Sequence, residues 1–191
     1  MRTVGVLALQ GDVREHGAML RSLGHEVREV RRPVDLTGID GLVLPGGEST
    51  TIAHLLSTSG LRSELSTALS QGLPVFGTCA GLILLSTTVL DGRADQWSFG
   101  ALDVTVQRNG YGRQTASFEV PITVEGVGEV PGVFIRAPRM TQWGDVEVLA
   151  SYDRGDGSHP VLVRQGQAWG CSFHPELTAD ARVHELFVNS L

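Results

Sequence analysis

From Leu73 to Leu82 the chain reads Leu-Pro-Val-Phe-Gly-Thr-Cys-Ala-Gly-Leu, an apolar run ending in a cysteine with glycine two residues away on either side. A strand entering and a helix leaving such a cysteine form a tight elbow, in which Gly77 and Gly81 are needed because larger side chains would obstruct the turn. The spacing therefore predicts a strand–helix unit, and the segments around it repeat that unit. Thr3 to Leu9 reads as a buried strand, and Asp12 as the cap of a helix that runs to about Leu23 and stops at Gly24. His25 to Val30 and Gly41 to Leu44 read as strands, Leu61 to Gln71 as a helix, Leu73 to Gly77 as a strand and Ala80 to Thr88 as a buried helix. Alternating strands and helices imply a mainly parallel central sheet flanked by helices, an α/β fold.

Beyond Asp91 the pattern becomes richer in strands: Leu102 to Val106, Phe118 to Val124, Val133 to Ile135, Val146 to Ala150, Pro160 to Val163 and Ala168 to Phe173. Asn109-Gly110, Gly155-Asp156-Gly157 and Arg164 to Gly166 carry hairpin turn signals. A helix from about Thr178 to Asn189 closes the chain. No repeat, low-complexity tract or long linker divides the sequence, so residues 1–191 are expected to form one domain.

Charge and composition narrow the function. The net charge is -6, and all fifteen basic side chains are arginines without a basic run. That distribution argues against nucleic-acid binding, which draws its affinity from clustered cations. Without lysine the chain cannot form a Schiff base through its own side chains. Val4 to Leu9 and Gly81 to Leu85 fall far short of the ~20 apolar residues that cross a bilayer, and no small-residue cleavage site follows the first run. A cytoplasmic address without membrane contact is expected. Two cysteines cannot build a disulfide framework for this length, so at least one thiol is available for chemistry.

Cys79 is the candidate nucleophile, with the amino terminus of the following helix favouring the ionised sulfur. The bland alternative is a small buried apolar residue. A thiolate needs a proton carrier, and Phe173-His174-Pro175-Glu176 supplies imidazole and carboxylate two residues apart, on one face if the backbone is extended. His174 would then shuttle protons while Glu176 orients it, giving a Cys79–His174–Glu176 triad. The remaining histidines, His16, His25, His54, His159 and His184, lack metal-ligand spacing and are assigned surface or capping roles; neither a metal nor a cofactor is expected. Leu44-Pro45-Gly46-Gly47-Glu48-Ser49-Thr50 places two glycines at a strand end but lacks the Gly-Lys of a phosphate loop. Its better reading is an oxyanion hole formed by the N–H groups of Gly47 and Ala80. The alternative is an ordinary strand-to-helix turn capped by Ser49.

These motifs resemble the class I (triad) glutamine amidotransferases, which implies that family's flavodoxin-like fold. Gly5 to His16, Leu44 to Thr51, Gly77 to Gly81, Gln107 to Gln114, Phe134 to Pro138 and Phe173 to Leu177 are together similar to the glutaminase subunits of pyridoxal 5'-phosphate synthases. Asp12 and Gly110 stand where that family often has other residues. The resemblance implies hydrolysis of L-glutamine, with Gly46, Gly47, Glu48, Arg108, Ile135 and Arg136 holding the substrate. Arginine and glutamate suit an amino-acid head group, but which pairs with which stays open. It further implies a lysine-bearing synthase subunit as partner and recipient of the ammonia. Two other readings remain at this point: a glutaminase for another acceptor, such as the synthase that makes imidazole glycerol phosphate, and a non-catalytic redox sensor. Cys171 reads as a core residue.

Overall fold

The computed structural model describes residues 1–93, 95–111 and 117–191. The end of the Gln107 to Gln114 motif, from Gly112 on, lies outside the described residues. Short apolar runs become parallel strands because burial on both faces leaves no need for polar alternation. Thus β1 (Thr3–Leu7), β3 (Gly41–Leu44), β4 (Val75–Thr78) and the late strand β12 (Ala168–Cys171) pair in parallel, and the more polar, partly exposed β2 (Glu26–Val30) joins β1 in parallel at the sheet edge. β10 (Glu147–Asp153) and β11 (Ser158–Gln165) add an antiparallel edge, giving the order β10-β11-β12-β4-β3-β1-β2.

Successive residues on a strand point to opposite faces, and the two cores follow that alternation. Val4, Val43 and Phe76 face one core, with Leu20 of α1 (Val13–Ser22), Phe187 of α5 (Arg182–Val188), and Ile122 and Phe134 of the hairpin β7 (Phe118–Val124) and β8 (Gly128–Phe134). Leu42, Leu44 and Val75 face the other, with α2 (Ser49–Thr58), α3 (Leu61–Ser70), α4 (Ala80–Leu85) and a small sheet of β5 (Ser86–Val89), β6 (Leu102–Gln107) and β9 (Arg139–Trp143). Phe76 is fully buried and lies 5.5 Å from the Phe187 ring; burial of such a side chain contributes about 1.5–3 kcal/mol.

The mainly parallel sheet and strand-rich second half agree with the sequence reading, and several boundaries differ. The elbow helix ends at Leu85 rather than Thr88, because Ser86 to Val89, with the β-branched Thr87, Thr88 and Val89, pairs with β6 instead. Asn109-Gly110 turns the chain without closing a hairpin, since β6 pairs with β5 and β9. β9 went unread because, of its five residues, only Met140 is buried. The last helix starts at Arg182, after a separate 3₁₀ turn at Pro175–Leu177. No described helix is long and apolar enough to cross a membrane.

Candidate active site

Ligand sites in open α/β sheets lie outside the carboxyl ends of the strands, and here β1, β3, β4 and β12 run on into Gln10, Gly46–Glu48, Cys79 and His174 respectively. Cys79 adopts φ 48, a left-handed conformation costly for a residue with a side chain. Its backbone N–H is tied to the Cys171 carbonyl at 2.8 Å. The flanking glycines are required by close approach: a Cβ on Gly81 would lie 2.1 Å from the Leu44 carbonyl oxygen, and one on Gly77 2.5 Å from the Gly81 backbone.

His174 and Glu176 do meet, by a different route from the extended strand the sequence suggested. The 3₁₀ turn at Pro175–Leu177 folds the acid back, so that His174 Nδ1 and Glu176 Oε1 are 2.7 Å apart, both side chains buried. The backbone N–H of His174 donates to the Val133 carbonyl at 2.8 Å, which holds the Phe134–Ile135–Arg136 segment beside the imidazole. A second carboxylate was missed. Asp12 occupies the N-cap position of α1 without capping it, and its Oδ2 lies 3.3 Å from the same Nδ1. Burial opposes a charge on His174, but hydrogen bonding to Asp12, Cys79 and Glu176 outweighs it and raises the imidazole pKa far above its ordinary value. Burial also raises Glu176, against the lowering effect of His174.

His16 and His184 correct the surface assignment. Both are fully buried, with His16 Nδ1 2.9 Å from His184 Nε2 and His16 Nε2 3.0 Å from Thr78 Oγ1. Burial lowers both pKa values, His184 to about 4, and His184 and His174 lower His16 further. Both imidazoles are therefore neutral near pH 7. The two histidines are 168 residues apart, so no local spacing in the sequence links them or marks them as buried. Cys171 is a core residue as read: burial pushes its thiol up, and its Sγ–H donates to the Phe173 carbonyl at 3.3 Å.

A cleft of about 330 Å³ opens over Cys79 and His174, lined also by Gln10, Asp12, Gly47, Glu48, Arg108, Ile135, Arg136 and Leu177. Gly46 and Ala80 are buried behind it; a Cβ on Gly46 would lie 2.4 Å from His174 Cε1. Glu48, not Ser49, caps α2, accepting from the N–H groups of Thr50 at 3.1 Å and Thr51 at 2.7 Å. Arg108 Nη2 donates to Glu48 Oε1 at 2.8 Å, so the two candidate head-group ligands pair with one another. Burial is the largest single influence on the Glu48 acid and raises it, but the Thr51 and Thr50 donors and Arg108 together outweigh it and bring it down to about 2. Ile135 is partly exposed at the rim, and Arg136 has φ 46, a conformation rare outside glycine. Gln10, also missed, accepts from the Glu48 N–H through Oε1 at 2.8 Å and so fixes the glycine loop.

Asp12, His174 and Glu176 place one donor atom each within 4.8 Å of one another. Both carboxylates aim at a single ring nitrogen, an arrangement built around a shared N–H proton, whereas a metal would require that nitrogen's lone pair.

The fold is that of a class I glutamine amidotransferase. A solved structure described as a glutamine amidotransferase superposes with a TM-score of 0.90 at 49% identity, covering 97% of each chain. The PurLQS structure from Thermotoga maritima, at 17% identity and a TM-score of 0.74 over 100% of this chain and 99% of that one, shares the fold. The SNO glutamine amidotransferase family matches residues 6–191, and the chain belongs to that family. Among similar curated proteins, pyridoxal 5'-phosphate synthase subunit PdxT of Mycobacteroides abscessus is 55% identical over 97% of this chain and 95% of its own length. The protein of the same name from Parafrankia sp. is 56% identical over 97% and 91%.

Proposed function

We propose that the chain is the glutaminase subunit of a pyridoxal 5'-phosphate synthase, with Cys79, His174 and Glu176 as its catalytic residues. The observation that carries the assignment of roles is the buried His174–Glu176 pair at 2.7 Å beside a cysteine held in a strained elbow at the floor of the cleft. With Nδ1 engaged by carboxylates, Nε2 of His174 is left to exchange protons with sulfur, leaving group and water.

The Cys79 thiol passes its proton to His174 as sulfur attacks the side-chain amide carbon of L-glutamine, and the oxyanion is received by the N–H groups of Gly47 and Ala80, each such donor being worth about 2.7–4 kcal/mol. Protonated His174 gives its proton to the departing nitrogen, releasing ammonia and leaving a glutamyl thioester. His174 then takes a proton from water, hydroxide displaces the thiolate, and glutamate leaves. Gly46, Gly47, Glu48, Arg108, Ile135 and Arg136 hold the substrate. Because Arg108 and Glu48 already pair, substrate entry splits or bridges that pair, with Arg108 meeting the carboxylate and Glu48 the ammonium.

Ammonia is useful only if captured before it is protonated in bulk water, so the partner is the lysine-bearing synthase subunit that consumes it. The lack of lysine in this chain fits that division of labour. Both cysteines are free thiols, in keeping with a reducing cytoplasm.

Incubation of the complex with a diazo-ketone glutamine mimic, followed by peptide mass mapping, is expected to label Cys79 alone. Cys79→Ala is expected to abolish glutamine-dependent synthesis and spare synthesis from added ammonium. Retained glutamine hydrolysis in that variant would refute the assignment. A glutaminase for a different synthase would instead show activation only with that other partner.

A further inference from the structure

Behind Glu176 the structure places buried imidazoles that the reaction as written does not use. Glu176 Oε1 is spent on His174, whereas Oε2 is buried and has no hydrogen-bond partner within normal distance among the described residues. His16 Nε2 stands 3.5 Å from that oxygen and 3.0 Å from Thr78 Oγ1, the residue just before Cys79. On the far side of the ring, His16 Nδ1 meets His184 Nε2 at 2.9 Å.

The proton positions follow from electrostatics. A bare Nε2 lone pair on His16 would face a carboxylate oxygen, so the N–H sits on Nε2, Nδ1 is the acceptor, and His184 donates from its own Nε2. The groups facing this chain are Glu176 and His174 on the turn after β12, His184 on α5, Thr78 and Cys79 at the end of β4, and Asp12 and His16 around the start of α1; Cys171 lies in the same core. An unpaired buried carboxylate oxygen is costly, and the neutral N–H of His16, 3.0 Å from Thr78 Oγ1 and 3.5 Å from Oε2, offsets part of that cost electrostatically without adding a charge.

We propose that His16, held in its Nε2–H tautomer by His184, is a positioning residue that fixes the triad acid Glu176 against the elbow carrying Cys79. The proposal rests on the triad reading above. It gives the His16 of α1 a task in the reaction although the residue does not line the cleft.

The test compares His16→Phe and His16→Gln in the assembled complex with its synthase, using glutamine turnover across pH alongside thermal melts. Loss of the donor in H16F is expected to lower kcat between about tenfold and a hundredfold with KM changed less than about twofold. It is also expected to move the acid limb of the kcat profile to higher pH, because a carboxylate that loses a donor holds its proton more tightly. H16Q keeps an N–H at similar reach and is expected to restore most of the rate and the original limb. A folded H16F with the parental profile, or an H16Q as impaired as H16F, would overturn the proposal. Should H16F fail to fold, His184→Phe decides: freeing the tautomer is expected to shift the acid limb in the same direction by a smaller amount, and an unchanged limb overturns the idea. A Cys79→Ala enzyme that still hydrolyses glutamine would instead sink the triad itself, so the two failures are distinct.

Discussion

Asp12 Oδ2 lies 3.3 Å from His174 Nδ1, the nitrogen that Glu176 Oε1 meets at 2.7 Å, so one imidazole N–H faces two carboxylates from opposite ends of the chain. Glu176 is wholly buried, whereas the Asp12 side chain is 32% exposed at the cleft wall. The buried partner fixes the ring, and the half-exposed one adds negative charge that solvent partly screens.

Replacing Asp12 by asparagine therefore leaves the imidazole in place and removes a charge that favours its protonated form. The alkaline limb of the kcat/KM profile for glutamine is expected to move down by up to about one pH unit, with less than about tenfold loss at the optimum. Glu176→Gln, which removes the buried partner, is expected to cost at least a hundredfold at every pH. Steady-state ammonia release by both variants across pH checks the pair, and an Asp12 profile identical to the parent would show that the screened carboxylate has no part in the site.

Stability toward acid follows from the buried histidines. Burial depresses His184 to about 4 from an ordinary 6.5, and His16 is lowered in the same direction. Below pH 6.5 the unfolded chain takes up protons that the folded chain refuses. Their cost is absent above that value, grows as pH falls, and levels off for His184 near 4. Each proton contributes a slope of about 1.4 kcal/mol per pH unit. Urea unfolding at pH 7, 6 and 5 is expected to show this decline, and His184→Phe to flatten it by about one proton; the comparison cancels the opposing contribution of Glu176, whose raised value is common to both proteins.

Gly46 and Gly81 separate rate from stability. An alanine at 81 drives its methyl into the Leu44 carbonyl on the sheet side, which is expected to cost about 1–3 kcal/mol in denaturant titration. At 46 the added methyl meets the His174 ring itself. A displaced imidazole is expected to lower kcat by about a hundredfold, out of proportion to the fall in Tm.

Glu48→Ala removes both the α2 cap and the anchor of Arg108. A loss of about 1 kcal/mol in stability is expected from the cap alone, together with a higher KM for glutamine as Arg108 swings free. Glu48→Gln retains an acceptor oxygen and is expected to recover part of the stability more fully than the KM.

The readable parts of this chain were those with a short-range signature. Gly77 and Gly81 announced the elbow because close backbone approach excludes every other residue, and the apolar runs of β1, β3 and β4 announced a doubly covered sheet. His174 and Glu176 were paired by proximity in sequence, although the backbone reason was a 3₁₀ turn at Pro175. What stayed hidden depends on contacts between distant segments: His16 and His184 are 168 residues apart, and nothing local marks either as buried. Asp12 reads as a cap in the sequence, since a carboxylate before a helix ordinarily serves as one; in the fold the imidazole competes for it. The Glu48–Arg108 pair likewise joins a loop after β3 to the end of β6, a juxtaposition that only the folded chain creates.

The insertion of β12 between β11 and β4 carries a consequence for synthesis on the ribosome. The cysteine and the glycine loop emerge early, yet the strand that leads into the imidazole fills an interior slot of the sheet and is translated only after β5 to β11. Any fragment released before Ala168 has an unpaired β4 edge and a thiol with no base beside it. Premature termination thus yields a sticky, chemically idle product suited to disposal by quality control, and hydrolytic competence is switched on only when the sheet is sealed.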